Sequence, residues 1–310
     1  MALDLPALLL VILLIEAAVG YPRWLYRIAR HPVVWIGELI ASLEDGWNTG
    51  SAPRRWWAGC GLLVVLTLVV GGVALGIDAI SQRSVVGAVA VVLISTTLFA
   101  QRSLHDHVVA VLRPLEAGDI GSARQAVSHI VGRDTAALDA EGIATAAIES
   151  LSESFCDGIV APAFWFLIAG LPGLAVCKAI NTADSIIGHK DERYRAFGWA
   201  AARADDLVNL IPARISGLLI CAAGFGGMRV MLRDAPRHAS PNGGWPEAAM
   251  AGVLARQLGG TVTYDGELAC RALLGAGPRP DATSLRSALG VYWRACVMMW
   301  LIVGGLAWLL

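Results

Sequence analysis

The stretch GCGLLVVLTLVVGGVALGI, residues 59–77, holds no charged side chain in nineteen positions. A helix that spans a bilayer needs roughly 20 largely apolar residues, so this stretch predicts a transmembrane helix. Three further segments have the same character, and they lie at about 2–20, at 86–101 with its flanks, and at 291–310. The chain is therefore expected to cross a membrane several times.

The composition of the 310-residue chain supports this interpretation. Hydrophobic residues make up 56% and charged residues only 16%, and the mean hydropathy is +0.61, whereas soluble proteins average roughly 25% charged residues. The net charge of −1 argues against a nucleic-acid partner, because phosphate binding requires an excess of basic residues. The six cysteines form no CxxC pair, so neither a disulfide framework nor a zinc site is indicated.

Two apolar segments carry features that a simple spanning helix avoids. Residues 159–180 are interrupted by two glycines and a proline within residues 170–173, which favours a re-entrant helical hairpin buried in protein or lining a cavity. Residues 207–230 contain Asn209 and Arg214, whose side chains are expected to face the protein interior. The predicted fold is all-α: a polytopic integral membrane protein with about five transmembrane helices, a re-entrant hairpin and polar cytoplasmic helical segments.

The domain organisation and topology follow from the polar segments. We interpret residues 1–310 as a single integrated membrane domain, with cytoplasmic amphipathic helices over 102–158 and polar active-site segments at 181–206 and 231–290. Five arginines lie within residues 21–56 and nothing basic precedes the first helix, so the positive-inside rule places this loop in the cytoplasm. The side on which 231–290 lies is left open by the sequence.

A first polar cluster is ESLSESFCDG, residues 149–158. Glu149, Glu153 and Asp157 follow one another at intervals of four, which lines three carboxylates along one helix face. Because like charges repel at this spacing, a divalent cation, arginines or solvent must compensate them. Oxygen ligands of this kind suit Mg²⁺, and a solvated acidic face is the structural alternative.

The second cluster is NTADSIIGH, residues 181–189. Asn181, Asp184 and Ser185 share one helix face, while the opposite face is apolar. A polar stripe on a membrane element usually faces a cavity or a site. A hydrogen-bonded seam between helices is the structural alternative.

The third cluster is DERYRAFGWAAARADDLVN, residues 191–209. Its arginines, among them Arg193 and Arg203, offer forked donors for an anion. Asp205 and Asn209 form an i, i+4 pair that suits a metal or an amine. Arg203 with Asp206 is equally well explained as a pair on a helix surface, where such pairs contribute little to stability.

The fourth cluster is the turn SPNGGWP, residues 240–246, whose glycines allow the backbone to approach a ligand closely. The chain contains neither a GxxxxGK[ST] phosphate loop nor a GxSxG motif. On physical grounds two classes stay open, an enzyme acting on an anionic substrate and a transporter. No internal repeat is visible in the sequence, which favours the enzyme because many transporters are built from repeats.

Five segments are similar to successive motifs of the CobD/CbiB family, the adenosylcobinamide-phosphate synthases of cobalamin biosynthesis. They occur in family order and cover nearly the whole chain. The segments are HPVVWIGELI (31–40), VGRDTAALD (131–139), ESLSESFCDGIVAP (149–162), NTADSIIGHKDERYRAFGWAAARADDLVNLIPAR (181–214) and SPNGGWPEAAMAG (240–252). After its glutamate the family usually has Asn-Thr-hydrophobic-Asp, whereas this chain has Ser154, Phe155, Cys156 and Asp157.

The resemblance implies an ATP-dependent ligase that forms an amide bond, located in the bacterial inner membrane with its active site facing the cytoplasm. It would join the free propionate carboxylate of adenosylcobyric acid to (R)-1-amino-2-propanol or its O-phosphate through an acyl phosphate. ATP as co-substrate and Mg²⁺ are implied, and the expected partners are the corrinoid, the amino alcohol, membrane lipid and other late enzymes of the pathway. A corrinoid transporter and a non-enzymatic membrane partner of such enzymes are the alternatives.

The resemblance and the charge types together suggest roles for individual side chains. Metal ligands are expected to be Glu153, Asp157 and Asp184. The expected catalytic residues are Asp205, Asp206 and Glu153. Substrate-binding side chains are expected to be Asn181, Arg193, Arg203, Arg214, Asn242 and Trp245.

Overall fold

A computed structural model of the chain describes residues 4–21, 30–81, 85–189, 191–264 and 266–310. Helices dominate these residues. The α-helices are α1 (Leu5–Val19), α2 (Pro32–Trp47), α3 (Ala52–Ser81), α4 (Val85–Thr96), α5 (Gln101–Glu116), α6 (Ile120–Ser128), α7 (Ala140–Phe155), α8 (Ala161–Ile187), α9 (Trp199–Val208), α10 (Leu210–Ala223), α11 (Met228–Asp234), α12 (Gly244–Leu254) and α13 (Ala282–Leu309). A π-helix (Cys156–Val160), a 3-10 helix (Ala235–Arg237) and two strands, β1 (Leu258–Tyr264) and β2 (Glu267–Leu274), complete the structure.

The prediction of a helical, multi-pass membrane protein is confirmed. Among the described residues, four helical stretches are long and apolar enough to cross a membrane, and a bent pair makes a fifth if it forms one span. The four are Ala52–Ser81, Val86–Glu116, Ala140–Ile187 and Ala282–Leu309, and the pair is Trp199–Val208 with Leu210–Ala223. Helix α1 is apolar but has only 15 residues, so it is shorter than the segment predicted at 2–20.

The chain divides into two compact units, each built from segments that are separate in sequence. Unit 1 comprises Met1–Ala100, Ala161–Asn209 and Val303–Leu310, and unit 2 comprises Gln101–Val160 and Leu210–Ile302. The single integrated domain expected from the sequence stays a prediction.

Unit 1 has a core formed by helices α2, α3, α8 and α9. Ile40 and Leu66 pack there against Ala183 and Ile187 of α8, which lie on the apolar face predicted opposite Asn181. Helix α3 and the segment before α9 approach each other closely. A Cβ atom added at Gly59 would overlap the carbonyl oxygen of Phe197, so glycine is required where these backbones meet.

Helix α8 is broken near the position that the sequence predicted. Ala169 and Gly170 have non-helical dihedral angles, and Gly170 has φ of +61°. A Cβ added at Gly173 would overlap the carbonyl oxygen of Trp165, although eight residues of a straight helix are about 12 Å apart. The chain therefore bends back sharply here, and the break lines an apolar cavity of about 500 Å³. Re-entry of this hairpin into a bilayer stays a prediction.

Unit 2 contains the π-helix and the one sheet in the described part of the chain. The strands β1 and β2 pair antiparallel, with a bulge between Leu258 and Gly260. The sequence predicted no strand within residues 231–290, so this hairpin was missed. Helix α5 is amphipathic as predicted, but α7 is buried on most sides from Ile143 to Glu149. The cytoplasmic location of residues 102–158 stays a prediction.

The contact at Gly59 gives a stability prediction. We expect Gly59→Ala to lower the free energy of unfolding by about 1–3 kcal/mol, because the added methyl group overpacks the contact with Phe197. Gly72→Ala on the same helix is the control, since nothing lies within 4 Å of its added Cβ and alanine favours a helix by up to about 1 kcal/mol. Thermal unfolding in detergent measures both variants. Equal thermal stability of the two variants would contradict the close contact at Gly59.

Candidate active site

A buried ion network lies in unit 2 around Glu149 of α7. The Glu149 side chain is 2% exposed, and its Oε1 accepts from the backbone N–H of Gly259 at 2.7 Å. Its Oε2 accepts from Arg271 at 2.9 Å and also from Arg133. The sequence predicted that a divalent cation, arginines or solvent would compensate the carboxylates of this helix face. At Glu149 the structure shows arginines in this role.

Arg271 on β2 is the centre of this network. Besides Glu149, its guanidinium donates to Glu247 of α12 at 3.0 Å and to Nε2 of His238 at 3.0 Å. Burial first, and then the charge of Glu149, raise the pKa of Glu247 well above its ordinary value. Burial opposes the charge of Arg271, but the carboxylates of Glu247 and Glu149 outweigh it and raise the pKa of Arg271. One cation thus holds the hairpin against two helices.

His238 connects the network to the SPNGGWP turn. Burial and the charge of Arg271 lower the pKa of His238, so its ring is neutral. Arg271 donates to Nε2, and Nδ1 lies 3.2 Å from the carbonyl oxygen of Ser240 and 3.1 Å from its backbone nitrogen. Ser240 Oγ in turn accepts from the backbone N–H groups of Asn242 and Gly243 at 3.2 Å each. The turn is therefore held by the histidine and the serine.

The turn lies against the acidic cluster of α7. A Cβ added at Gly243 would lie 3.1 Å from Glu153 Oε1 and 3.1 Å from His238 Cε1. At Gly244 an added Cβ would lie 2.5 Å from the Cβ of His238. These glycines bring the turn against the exposed Glu153, while the close approach of the turn to a ligand stays a prediction.

Arg214 of α10 contacts the same turn. Its NH1 donates to Asn242 Oδ1 at 2.6 Å, and its guanidinium lies over the Trp245 ring at 4.6 Å from the centroid. The guanidinium also interacts electrostatically with Cys156, and α10 packs against the π-helix that carries Asp157. Such π-helical turns are frequent at functional sites. Unit 2 therefore brings together five of the predicted site residues: Glu153, Asp157, Arg214, Asn242 and Trp245.

Unit 1 holds the remaining predicted residues. Asn181 Nδ2 donates to Asp205 at 3.4 Å, and Asn209 Nδ2 donates to the other oxygen of Asp205 at 3.0 Å, so the predicted Asp205 and Asn209 pair is observed. Arg203 pairs with Asp206 at 2.9 Å, as expected of a helix-surface pair. Asp184 lies on α8 between Asn181 and its C-terminal end.

Arg193 has a partner that the sequence reasoning missed. Its guanidinium donates to Glu44 Oε1 of α2 at 3.0 and 2.8 Å, and this carboxylate raises the pKa of Arg193. Arg55 donates to the backbone carbonyl oxygens of Glu192 and Arg193. These contacts clamp the segment before α9 onto α2 and α3. The residues that make these contacts, together with Asp45 and Asn48, line an open polar cavity of about 510 Å³.

Comparison with known proteins decides the family. The family model described as CobD/Cbib protein matches residues 9–292. The chain belongs to the CobD/CbiB family. It is 48% identical over 308 residues to the cobalamin biosynthesis protein CobD of Rhodobacter capsulatus, with 97% of each chain covered. It is 41% identical over 313 residues to that of Rhizobium meliloti, with 96% of each covered. No solved structure matches the chain.

The departure from the usual family pattern has a structural explanation at one position. Phe155, where CobD/CbiB proteins usually carry threonine, is buried and packs edge-on against Tyr292 with ring centroids 5.8 Å apart. This contact fixes the end of α7 against α13 within unit 2. The aromatic side chain therefore fills the core beside the acidic cluster.

The metal-binding role expected of Glu153, Asp157 and Asp184 stays a prediction. Within the described ranges, no three side chains of His, Cys, Asp or Glu lie together as a metal site. Glu153 and Asp157 lie in unit 2, whereas Asp184 lies in unit 1. Mg²⁺ that arrives with a nucleotide needs only one or two carboxylates besides the phosphates. Glu153 and Asp157 fit this smaller requirement by residue type.

The network gives a second stability prediction. We expect Arg271→Met to lower the free energy of unfolding by about 3–5 kcal/mol, because Glu149 and Glu247 would stay buried without their shared cation. Arg286→Met is the matched control. Arg286 pairs with Glu116 at the surface and is 70% exposed, so we expect a change within about 1 kcal/mol. Denaturant unfolding in mild detergent measures both variants. Similar losses in the free energy of unfolding would contradict the central role of Arg271.

A pH prediction follows from Glu247. The folded protein holds its proton to higher pH than the unfolded chain, whose reference value is 4.5. The contribution to stability is therefore complete below pH 4.5 and is lost as pH rises through the folded pKa. We expect Glu247→Gln to remove this loss. The free energy of unfolding of the variant should therefore rise relative to that of the wild type as pH increases. Unfolding curves recorded across pH measure the difference, and parallel curves would contradict the raised pKa.

Proposed function

We propose that this chain is a cobalamin biosynthesis enzyme that ligates an amino alcohol to a corrinoid carboxylate. Its substrates would be adenosylcobyric acid, (R)-1-amino-2-propanol or its O-phosphate, and ATP. The observation that carries the proposal is the meeting of two family motifs, ESLSESFCDG and SPNGGWP, around Glu153 in unit 2. Relatives at 41% and 48% identity over nearly their full length carry the name cobalamin biosynthesis protein CobD.

The chemistry requires activation of the carboxylate, because its oxygen is a poor leaving group. A carboxylate oxygen of the corrinoid attacks the γ-phosphorus of ATP, and the bond to the ADP oxygen breaks. The resulting acyl phosphate is attacked by the amine nitrogen, the bond from carbonyl carbon to phosphate oxygen breaks, and phosphate leaves. The ammonium proton passes to a protein carboxylate, so the products are amide, ADP, phosphate and a proton.

The unit 2 group supplies the charges that this activation needs. Mg²⁺ brought by ATP would neutralise phosphate charge. Glu153 and Asp157 would hold it. Arg214 is positioned by Asn242 and stacked on Trp245, which suits a guanidinium that holds a phosphate oxygen in a fixed orientation.

The unit 1 residues keep the roles predicted for them, except Arg193. Asp205 or Asp206 is the proposed base for the ammonium proton. Asn181 and Arg203 stay predicted substrate-binding residues, and Asp184 stays a predicted metal ligand. The pairing of Arg193 with the largely buried Glu44 supports a structural role for that arginine. Location in the inner membrane with the site facing the cytoplasm, and association with other late pathway enzymes, belong to the same proposal.

Mass spectrometry of the corrinoid tests the ligase directly. Purified protein is incubated with adenosylcobyric acid, Mg-ATP and either aminopropanol or its phosphate. A mass gain that matches the amide and depends on ATP is the expected result, and it also shows which amine is used. An unchanged corrinoid with folded protein would contradict the proposal.

A variant pair tests the place of Glu153. We expect Glu153→Gln to lower kcat by roughly 100-fold or more, since removal of a positioned carboxylate from acid-base or charge-stabilising work has an effect of this size. Glu141→Gln is the matched control, because Glu141 lies exposed in the first turn of the same helix, α7. Equal turnover of the two variants would remove Glu153 from the site.

A corrinoid transporter is the second candidate, because the break in α8 lines a cavity and broken helices form substrate sites in transporters. The lining is apolar apart from Thr67 and includes Leu68, Leu75 and Trp165, which suits neither phosphate nor a polar solute. Uptake of unmodified corrinoid into liposomes would favour the transporter over the ligase.

A further inference from the structure

The segment that follows α10 exposes large apolar side chains beside arginines. Phe225 is 89% exposed, and Met228 and Leu232 of α11 are also exposed. Phe225 has φ of 54°, a left-handed conformation that is strained for a bulky side chain. A bulky side chain held in this conformation and left largely exposed is unfavourable in water. The segment therefore needs an environment other than bulk water.

The same segment is basic. Arg229, Arg233 and Arg237 follow at intervals of four residues. Asp234 is the one acidic side chain among them, and it is buried and pairs with Arg233 at 2.6 Å and with Arg237 at 3.3 Å. The hydrogen bonds from Arg233 and from the Gly275 N–H lower the pKa of Asp234 to about 2. Its charge is therefore present at every physiological pH, and an excess of positive charge is left on the surface.

Contacts with helix α13 indicate where this segment lies relative to the membrane. The Arg294 guanidinium lies over the Phe225 ring, 6.0 Å from its centroid. Arg294 is the last charged residue of the chain, and the exposed side chains that follow in unit 2 are aliphatic: Val297, Leu301 and Ile302. Phe225 thus lies where the surface of a candidate membrane span changes from charged to aliphatic, which is the position of lipid head groups.

We propose that residues 225–237, together with Arg294, form a binding surface for anionic phospholipid at the membrane interface. The exposed apolar side chains insert at the boundary between head groups and acyl chains. The arginines meet the phosphate of the head group, and four arginines against one carboxylate leave a net charge of +3 on the surface. Anionic lipids of the cytoplasmic leaflet attract basic segments of this kind. The surface therefore places the start of α11 on the cytoplasmic side.

Lipid titration of the detergent-purified full-length protein tests this surface. Phosphatidylglycerol or phosphatidylcholine is added, and bound lipids are counted by native mass spectrometry. We expect phosphatidylglycerol to be retained preferentially, and each of Arg229→Gln and Arg294→Gln to weaken its binding roughly five-fold. Arg286→Gln is the matched control, since it removes the same charge from an exposed position of α13 and is expected to change binding little.

A second variant separates the apolar part from folding. Phe225→Gly removes the aromatic ring but suits the positive φ, so we expect it to fold as well as the wild type and to bind both lipids more weakly. Equal retention of the two lipids by the wild type would overturn the proposal. So would an equal effect of Arg286→Gln. Displacement of phosphatidylglycerol by inorganic phosphate or ATP at comparable concentration would indicate a soluble-phosphate site and would also overturn it.

Discussion

The ion network around Arg271 is the interaction on which the candidate site depends. A single guanidinium on β2 contacts Glu149 of α7, Glu247 of α12 and the ring of His238. Removing two carboxylates from water is costly, and the cost is offset only when the partners and their geometry are complete. In this network the hairpin, both helices and the glycine turn are held together with their buried charges paired. That arrangement places Gly243 against Glu153 and so defines the proposed site.

Sequence reasoning predicted the features that depend on local pattern. The uncharged run of α3, the break at Gly170 and the pairing of Asp205 with Asn209 all follow from composition or helical spacing over a few residues. The centre of the network did not follow, because Arg271 lies 122 residues from Glu149. Its separation from Glu247 is 24 residues. Nothing in the residues around Arg271 marks a partner at such a distance. The hairpin did have a local signal, a run of β-formers ending at Tyr264 followed by Asp-Gly.

The structure also separates binding residues from structural ones. Arginines were expected to hold anions, yet Arg193 and Arg271 both contact acidic side chains and hold segments together. Arg214 differs from them, because its contacts are an amide oxygen, a backbone carbonyl and an aromatic face. An arginine oriented by such partners suits the phosphate chemistry proposed here, and it lies in the same unit as Glu153 and Asp157.

The most direct test of the account is the fate of the carboxylate oxygen. Adenosylcobyric acid labelled with ¹⁸O in its free propionate is incubated with the protein, Mg-ATP and the amine, and the released phosphate is analysed by mass spectrometry. Activation through an acyl phosphate predicts that each amide formed transfers one heavy oxygen to inorganic phosphate. Amide formation with unlabelled phosphate, or with the label in AMP, would contradict this chemistry.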